Sequence, residues 1–386
     1  MLDRIRNANL DELIGLTLEA YGSSRNKELQ NNREQFKFKT GIGRTVYANV
    51  FGFKTMDYYK DPRLCLEAQL RWKLCQFYVI KDDAPMDLLV GIDYATAFEP
   101  SLFGMEYHME EGMEPTYAGP VIHDEEDLKK AKKPDFYKSG LMPQAHCMYQ
   151  SLQELAGDRL DVFFTGFARG PWSIATMVCG FNELFIYSME QPQFVHDLMQ
   201  HIVDSRMEWE TERCRYLGIS PEDDSYIWKY VVYRNNANSA LFEDEVDGQL
   251  FSPDFYHEFI FPYEKQLADF YGGIDYYHSC GMLTGFMEDI AKLPVAGEQH
   301  ISSCTDYAKT AQTMPDGVTM QISLVPVEDV INADEQHMHR RFREIMENAR
   351  GRNIDICADA LYVGGMDIID KTAQMARVFR EVMETR

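Results

Sequence analysis

A chain of 386 residues, 45% hydrophobic and 13% aromatic, is long enough to bury a large core as one big α/β barrel or as two ordinary domains. Its net charge of −24 opposes a nucleic-acid or anionic-membrane surface, because phosphate binding needs clustered Lys and Arg. No run approaches the roughly 18 apolar residues of a membrane span, and the start Met1-Leu2-Asp3-Arg4-Ile5-Arg6 has no signal-peptide core, so a cytoplasmic address is expected.

In chain order, Leu10, Leu13, Ile14, Leu18 and Tyr21 recur at helical spacing, so residues 1–40 read as a polar, helical N-terminal extension. The β-formers of Arg44–Phe51 predict a first strand of the body that fills residues 41–386. Asp61-Pro62 opens a helix, since Asp can cap and Pro tolerates the first turn. Leu88–Tyr94 predicts a second strand, followed by a long excursion over 97–122 and an acid-then-base helix from His123. Leu160–Gly166 is the third predicted strand, with a helix after Gly170-Pro171-Trp172, and Tyr226–Val232 is the fourth. Ser252-Pro253-Asp254 starts another helix. Strands are then expected at Ile274–Cys280, Val295–Glu298, Val318–Ser323 and Asn353–Ala358. Eight strands with mostly helical spacers predict an α/β fold of TIM (β/α)8 type, and no GxGxxG or GxxxxGK[ST] motif supports a nucleotide fold.

The eight cysteines form no CxxC pair, which suits free thiols in a reducing compartment. His278-Ser279-Cys280-Gly281 stands out. The period of two along a strand puts His278 and Cys280 on one face, where both could reach one ion. Cys357 sits in a similar apolar run. Taken singly, each cysteine fits buried packing better. Taken together at presumed strand ends, one imidazole and two thiols suit zinc and leave a position open for substrate. Glu298 is a candidate fourth ligand, with His300 and Cys304 as competitors.

These residues resemble the uroporphyrinogen decarboxylase superfamily, in its zinc-dependent, corrinoid-linked methyltransferase branch. His278-Ser279-Cys280-Gly281 matches the HxCG element of that branch, and Cys357 its late cysteine. Further matches are Gly170–Ala175, Gly180–Leu184, Gln191–His196 and Ser252–Phe255. The resemblance implies a TIM barrel with zinc at its C-terminal mouth and a corrinoid (cobalamin) protein as partner. A similar order of ligands in cobalamin-independent methionine synthase is the reason for promoting Glu298. It further implies either an O-demethylase methyltransferase component, moving methyl from a methoxylated aromatic to Co(I), or a methyl-Co(III)-to-thiol enzyme of coenzyme M type. The aromatic density near strand ends favours the first. A decarboxylase of multiply carboxylated tetrapyrroles and a non-catalytic zinc barrel fit less well. Asp93 and Arg169, at or beyond strand ends, are candidates to orient substrate.

Overall fold

The computed structural model describes residues 1–222, 239–349 and 351–386. Three helices, Leu2–Asn7, Leu10–Gly22 and Ser24–Gln30, precede the first strand. Asn9 caps the second of them in a reciprocal capping box with Glu12, and Leu13, Ile14 and Thr17 bury its inner face.

Eight parallel strand segments follow among the described residues: β1 Phe36–Ile42, β2 Leu89–Gly91, β3 Asp161–Phe163, β4 Ala240–Phe242, β5 Ile274–His278, β6 Val295–Ile301, β7 Thr319–Ser323 and β8 Ile354–Leu361. β4 to β8 pair in sequence order, and β8 returns to pair with β1. β2 pairs with β3, and a bridge from Arg169 to Phe242 joins the segment after β3 to β4. The free side of β1 is met by Asp82 and Asp83, whose carboxylates accept the Thr40 and Phe38 amides at 2.9 and 2.8 Å. With helices between the strands, this is the TIM barrel that the spacing predicts.

Several expectations need correction. Arg44–Phe51 is a helix, not a strand. Val46, Tyr47 and Val50 fall on one buried face at helical spacing, and Gly52 ends the helix in the left-handed region at φ 75°. The first strand is instead Phe36–Ile42, so residues 36–40 lie in the sheet and not in the helical extension. The excursion over 97–122 contains a short helix, Phe98–Leu102, and a hairpin pairing Tyr107–His108 with Thr116–Tyr117. The short strand Ala240–Phe242 was not anticipated. The expected strand Tyr226–Val232 lies outside the described residues.

Two large apolar clusters pack helices against the strands, and the buried centre of the barrel is polar. Lys39 on β1 forms an ion pair with Asp355 on β8 and lies 3.9 Å from Glu298 on β6. Gln321 donates to Glu298 and accepts from the Tyr276 hydroxyl at 2.8 Å. Burial opposes the charge of Asp355, but Lys39 holds its carboxyl below the usual range. Removing one member of such a pair strands the other. Lys39→Met should therefore lose about 3–5 kcal/mol of stability at neutral pH, measured by urea unfolding. The deficit should shrink as pH falls, because the stranded carboxyl, pushed up by burial once Lys39 is gone, takes up a proton before the paired one does.

Candidate metal centre

Asp244, His278 and Cys280 come together at the C-terminal ends of β4 and β5. One ligand atom from each lies within 4.8 Å of the other two. His278 ends β5 and is 3% exposed, with its ring stacked on Phe242 at 4.7 Å and on His300 at 4.0 Å between centroids. Those two rings fix the imidazole plane. His278 Nδ1 is 2.8 Å from Asp244 Oδ1. The other Asp244 oxygen accepts from Arg169 at 3.1 Å.

The chain beyond β5 turns sharply because the loop after β4 presses on it. Ser279 Oγ donates to the Val246 carbonyl at 2.8 Å and accepts from the Gly281 amide at 2.9 Å. A Cβ on Gly281 would sit 2.2 Å from the Val246 oxygen, so only glycine fits there. This turn leaves the Cys280 residue exposed at the rim while His278 is buried beneath it.

The electrostatics follow from that crowding. Burial opposes the charge of Asp244, but His278 and Arg169 outweigh it and hold the carboxyl well below its ordinary range. Burial and the neighbouring His300 lower His278, against the pull of Asp244. Burial and then Asp244 push the Cys280 thiol far up. The set thus offers one nitrogen, one sulfur and one oxygen. Three such donors with an open position fit zinc, and Arg169 supplies the outer hydrogen bond that orients a ligating carboxylate.

The other expected residues are placed differently. Cys357 and Glu298 lie outside this set of three. Both belong to strands that run on past them, β8 to Leu361 and β6 to Ile301, so they sit within the barrel and not at strand ends. Cys357 is fully buried in register with Lys39 and Ser323, and Glu298 belongs to the Lys39 network. His300 bonds Ser279 O at 2.9 Å and Ser323 Oγ at 2.8 Å. Cys304 Sγ lies 3.6 Å from the Cys280 carbonyl. Arg169 reaches the centre through Asp244. Asp93 instead pairs with Arg44, which also bonds Glu114 at 3.0 Å and the Tyr59 hydroxyl at 2.8 Å. Asp244 was missed: it lies in an acidic run, Glu243-Asp244-Glu245, that by composition reads as solvated loop.

A cleft of about 810 Å³ on the outer helices, lined by Lys133, Tyr137, Asp204, Glu208 and Phe270 among others, has no imidazole or thiol on its walls. Volume alone does not mark the chemistry here.

The sequence matches the family described as uroporphyrinogen decarboxylase (URO-D) over residues 46–209 and 229–357. The chain belongs to the URO-D family. No curated protein sequence matches it. Among solved structures, a methyltransferase from Methanosarcina mazei superposes with a TM-score of 0.64 at 12% identity, covering 97% of this chain and 98% of that one. At that identity the likeness speaks for the fold. The URO-D match spans both strand ends that carry the three donors, Asp244 after β4 and His278-x-Cys280 after β5.

Iodoacetamide applied to the native, metal-free protein at alkaline pH should label the exposed Cys147 and Cys304 first, Cys280 slowly because burial and Asp244 hold its thiol protonated, and spare the buried Cys357. One equivalent of Zn2+ should then protect Cys280 and leave Cys147 reactive, as read by peptide mass mapping.

Proposed function

We propose that this URO-D family barrel is a zinc-dependent methyltransferase that moves a methyl group from a methoxylated aromatic compound to the Co(I) corrinoid of a partner protein. The observation that carries the reading is the Asp244–His278–Cys280 donor set at the barrel mouth, in a chain whose His278-x-Cys280-Gly281 resembles the corrinoid-linked branch. The M. mazei methyltransferase of the same fold adds support.

Zinc held by these three residues would supply Lewis acidity toward the oxygen from which the methyl group departs. The chain's own residues do the rest. Arg169 fixes one oxygen of Asp244, leaving the other toward His278. Phe242 and His300 hold the His278 ring. Half-exposed Tyr362 packs its ring beside Gly43, its hydroxyl pushed up to about 12 by burial and then by Glu114, Cys280 and Asp359. It offers a face for a flat guest and keeps its proton at neutral pH.

Charge favours a methoxyarene over a sulfonated thiol. The arginines described at the mouth are already engaged by carboxylates, Arg44 with Asp93 and Glu114, and Arg169 with Asp244. Among the described residues, an anionic tail would find acids there and no unengaged arginine to meet it. The same argument disfavours a multiply carboxylated tetrapyrrole.

Anaerobic absorbance spectroscopy tests the reading. Co(I) corrinoid mixed with zinc-loaded protein and guaiacol or veratrole should convert to methyl-Co(III). Cys280→Ala and Asp244→Ala should each lower the rate by more than the ~10–100-fold typical of losing an outer-shell partner. Conversion that is indifferent to both substitutions, or methyl-Co(III) consumed only on adding a thiol, would refute it.

A further inference from the structure

Resting on the metal-centre reading above, we infer that Glu243, assisted by Glu245, is a positioning residue: the two clamp the first turn of the helix Pro171–Cys179 and so aim Asp244 at His278 and Cys280. Three consecutive carboxylates leave β4, an arrangement that like-charge repulsion opposes unless each has its own partner. Each does. Glu243 is fully buried, and its two oxygens accept the Trp172 and Ser173 amides at 3.1 and 2.8 Å. These are amides at a helix start, which have no partner within the helix and carry the positive end of its dipole. Glu245 takes the Ser173 hydroxyl. Asp244, between them, turns the other way, to Arg169 and His278.

The main chain is tied at the same point. Glu243 N donates to the His278 carbonyl at 2.8 Å, and Gly170 N donates to the Phe242 carbonyl at 2.9 Å. The ends of β4 and β5 and the helix start are therefore one hydrogen-bonded unit, with the side chain of Glu243 as its bolt. Gly170 leaves room for that bolt. Its φ of −72° suits any residue, yet an added Cβ would sit 2.1 Å from the Glu243 carboxyl carbon. Glycine is needed at position 170 for space and not for backbone freedom, which gives a reason for the Gly170-Pro171-Trp172-Ser173 motif that the centre itself does not supply.

Two substitutions disturb the clamp without touching a ligand. Glu243→Gln puts an amide NH2 where one of the helix amides needs an acceptor. Gly170→Ala displaces the carboxylate while leaving Glu243 chemically intact. Co2+ titration of the metal-free protein reads the outcome, through the sulfur-to-cobalt charge-transfer band of Cys280 and the visible bands that report coordination geometry. Both variants should bind Co2+ about 10–100-fold more weakly and with shifted visible bands, while circular dichroism stays that of the parent. A merely structural contact would lower the melting temperature and leave the spectrum of the bound metal unchanged. Should Glu243→Gln fail to fold, Gly170→Ala carries the test alone. Parent-like affinity and bands in the folded variants would overturn the clamp and leave the centre standing. A parent protein with no charge-transfer band would overturn the centre and the clamp together.

Discussion

The structure of the barrel mouth depends on one apposition, a carboxylate and an imidazole held 2.8 Å apart with a thiol beside them. Left to themselves, such groups would part to recover solvent, since burying a charge costs far more than burying an apolar side chain. Every neighbour described above acts against that tendency. Arg169 takes the far oxygen of Asp244, Phe242 and His300 bracket the His278 ring, and Gly281 lets the chain turn closely enough to bring Cys280 back. A cation inserted among the three donors would relieve the remaining cost, which is the physical reason to read the cluster as a metal centre.

Beneath that centre the barrel is filled with paired polar groups. Lys39, Asp355, Glu298, Gln321 and Tyr276 occupy the interior where branched aliphatic layers are the usual filling. Such a core is costly unless its members are satisfied, and their mutual bonding resists displacement of the strands that carry them. Rigidity below makes geometry above reproducible. Cys357 and Glu298, expected at the centre, belong to or border this lower layer.

The barrel was legible because strands that alternate with helices leave a periodic signature, clear at Leu88–Tyr94, Leu160–Gly166 and the last four strands. It failed where side-chain chemistry contradicts the usual code. Lys37 and Lys39 make Phe36–Ile42 look like polar tail, although Lys39 points at a buried acid, and β-branched residues make the helix Arg44–Phe51 look like a strand. At the site, the nearness of His278 and Cys280 was legible from their spacing, although β5 ends at His278 and Cys280 lies in the turn beyond it and not on the strand. Asp244 was not, because its proximity to them is created by adjacent strand ends that no local pattern records. A carboxylate between two others gives no hint of which one turns inward.

Zinc K-edge X-ray absorption of the zinc-loaded protein tests the central claim most directly. Coordination by Asp244, His278 and Cys280 predicts a single sulfur at about 2.3 Å, with the remaining ligands nitrogen or oxygen at about 2.0–2.2 Å, and loss of the sulfur shell in Cys280→Ala. Two sulfurs in the shell, with one surviving in Cys280→Ala, would place a second thiol, Cys357 or Cys304, at the metal and contradict the account.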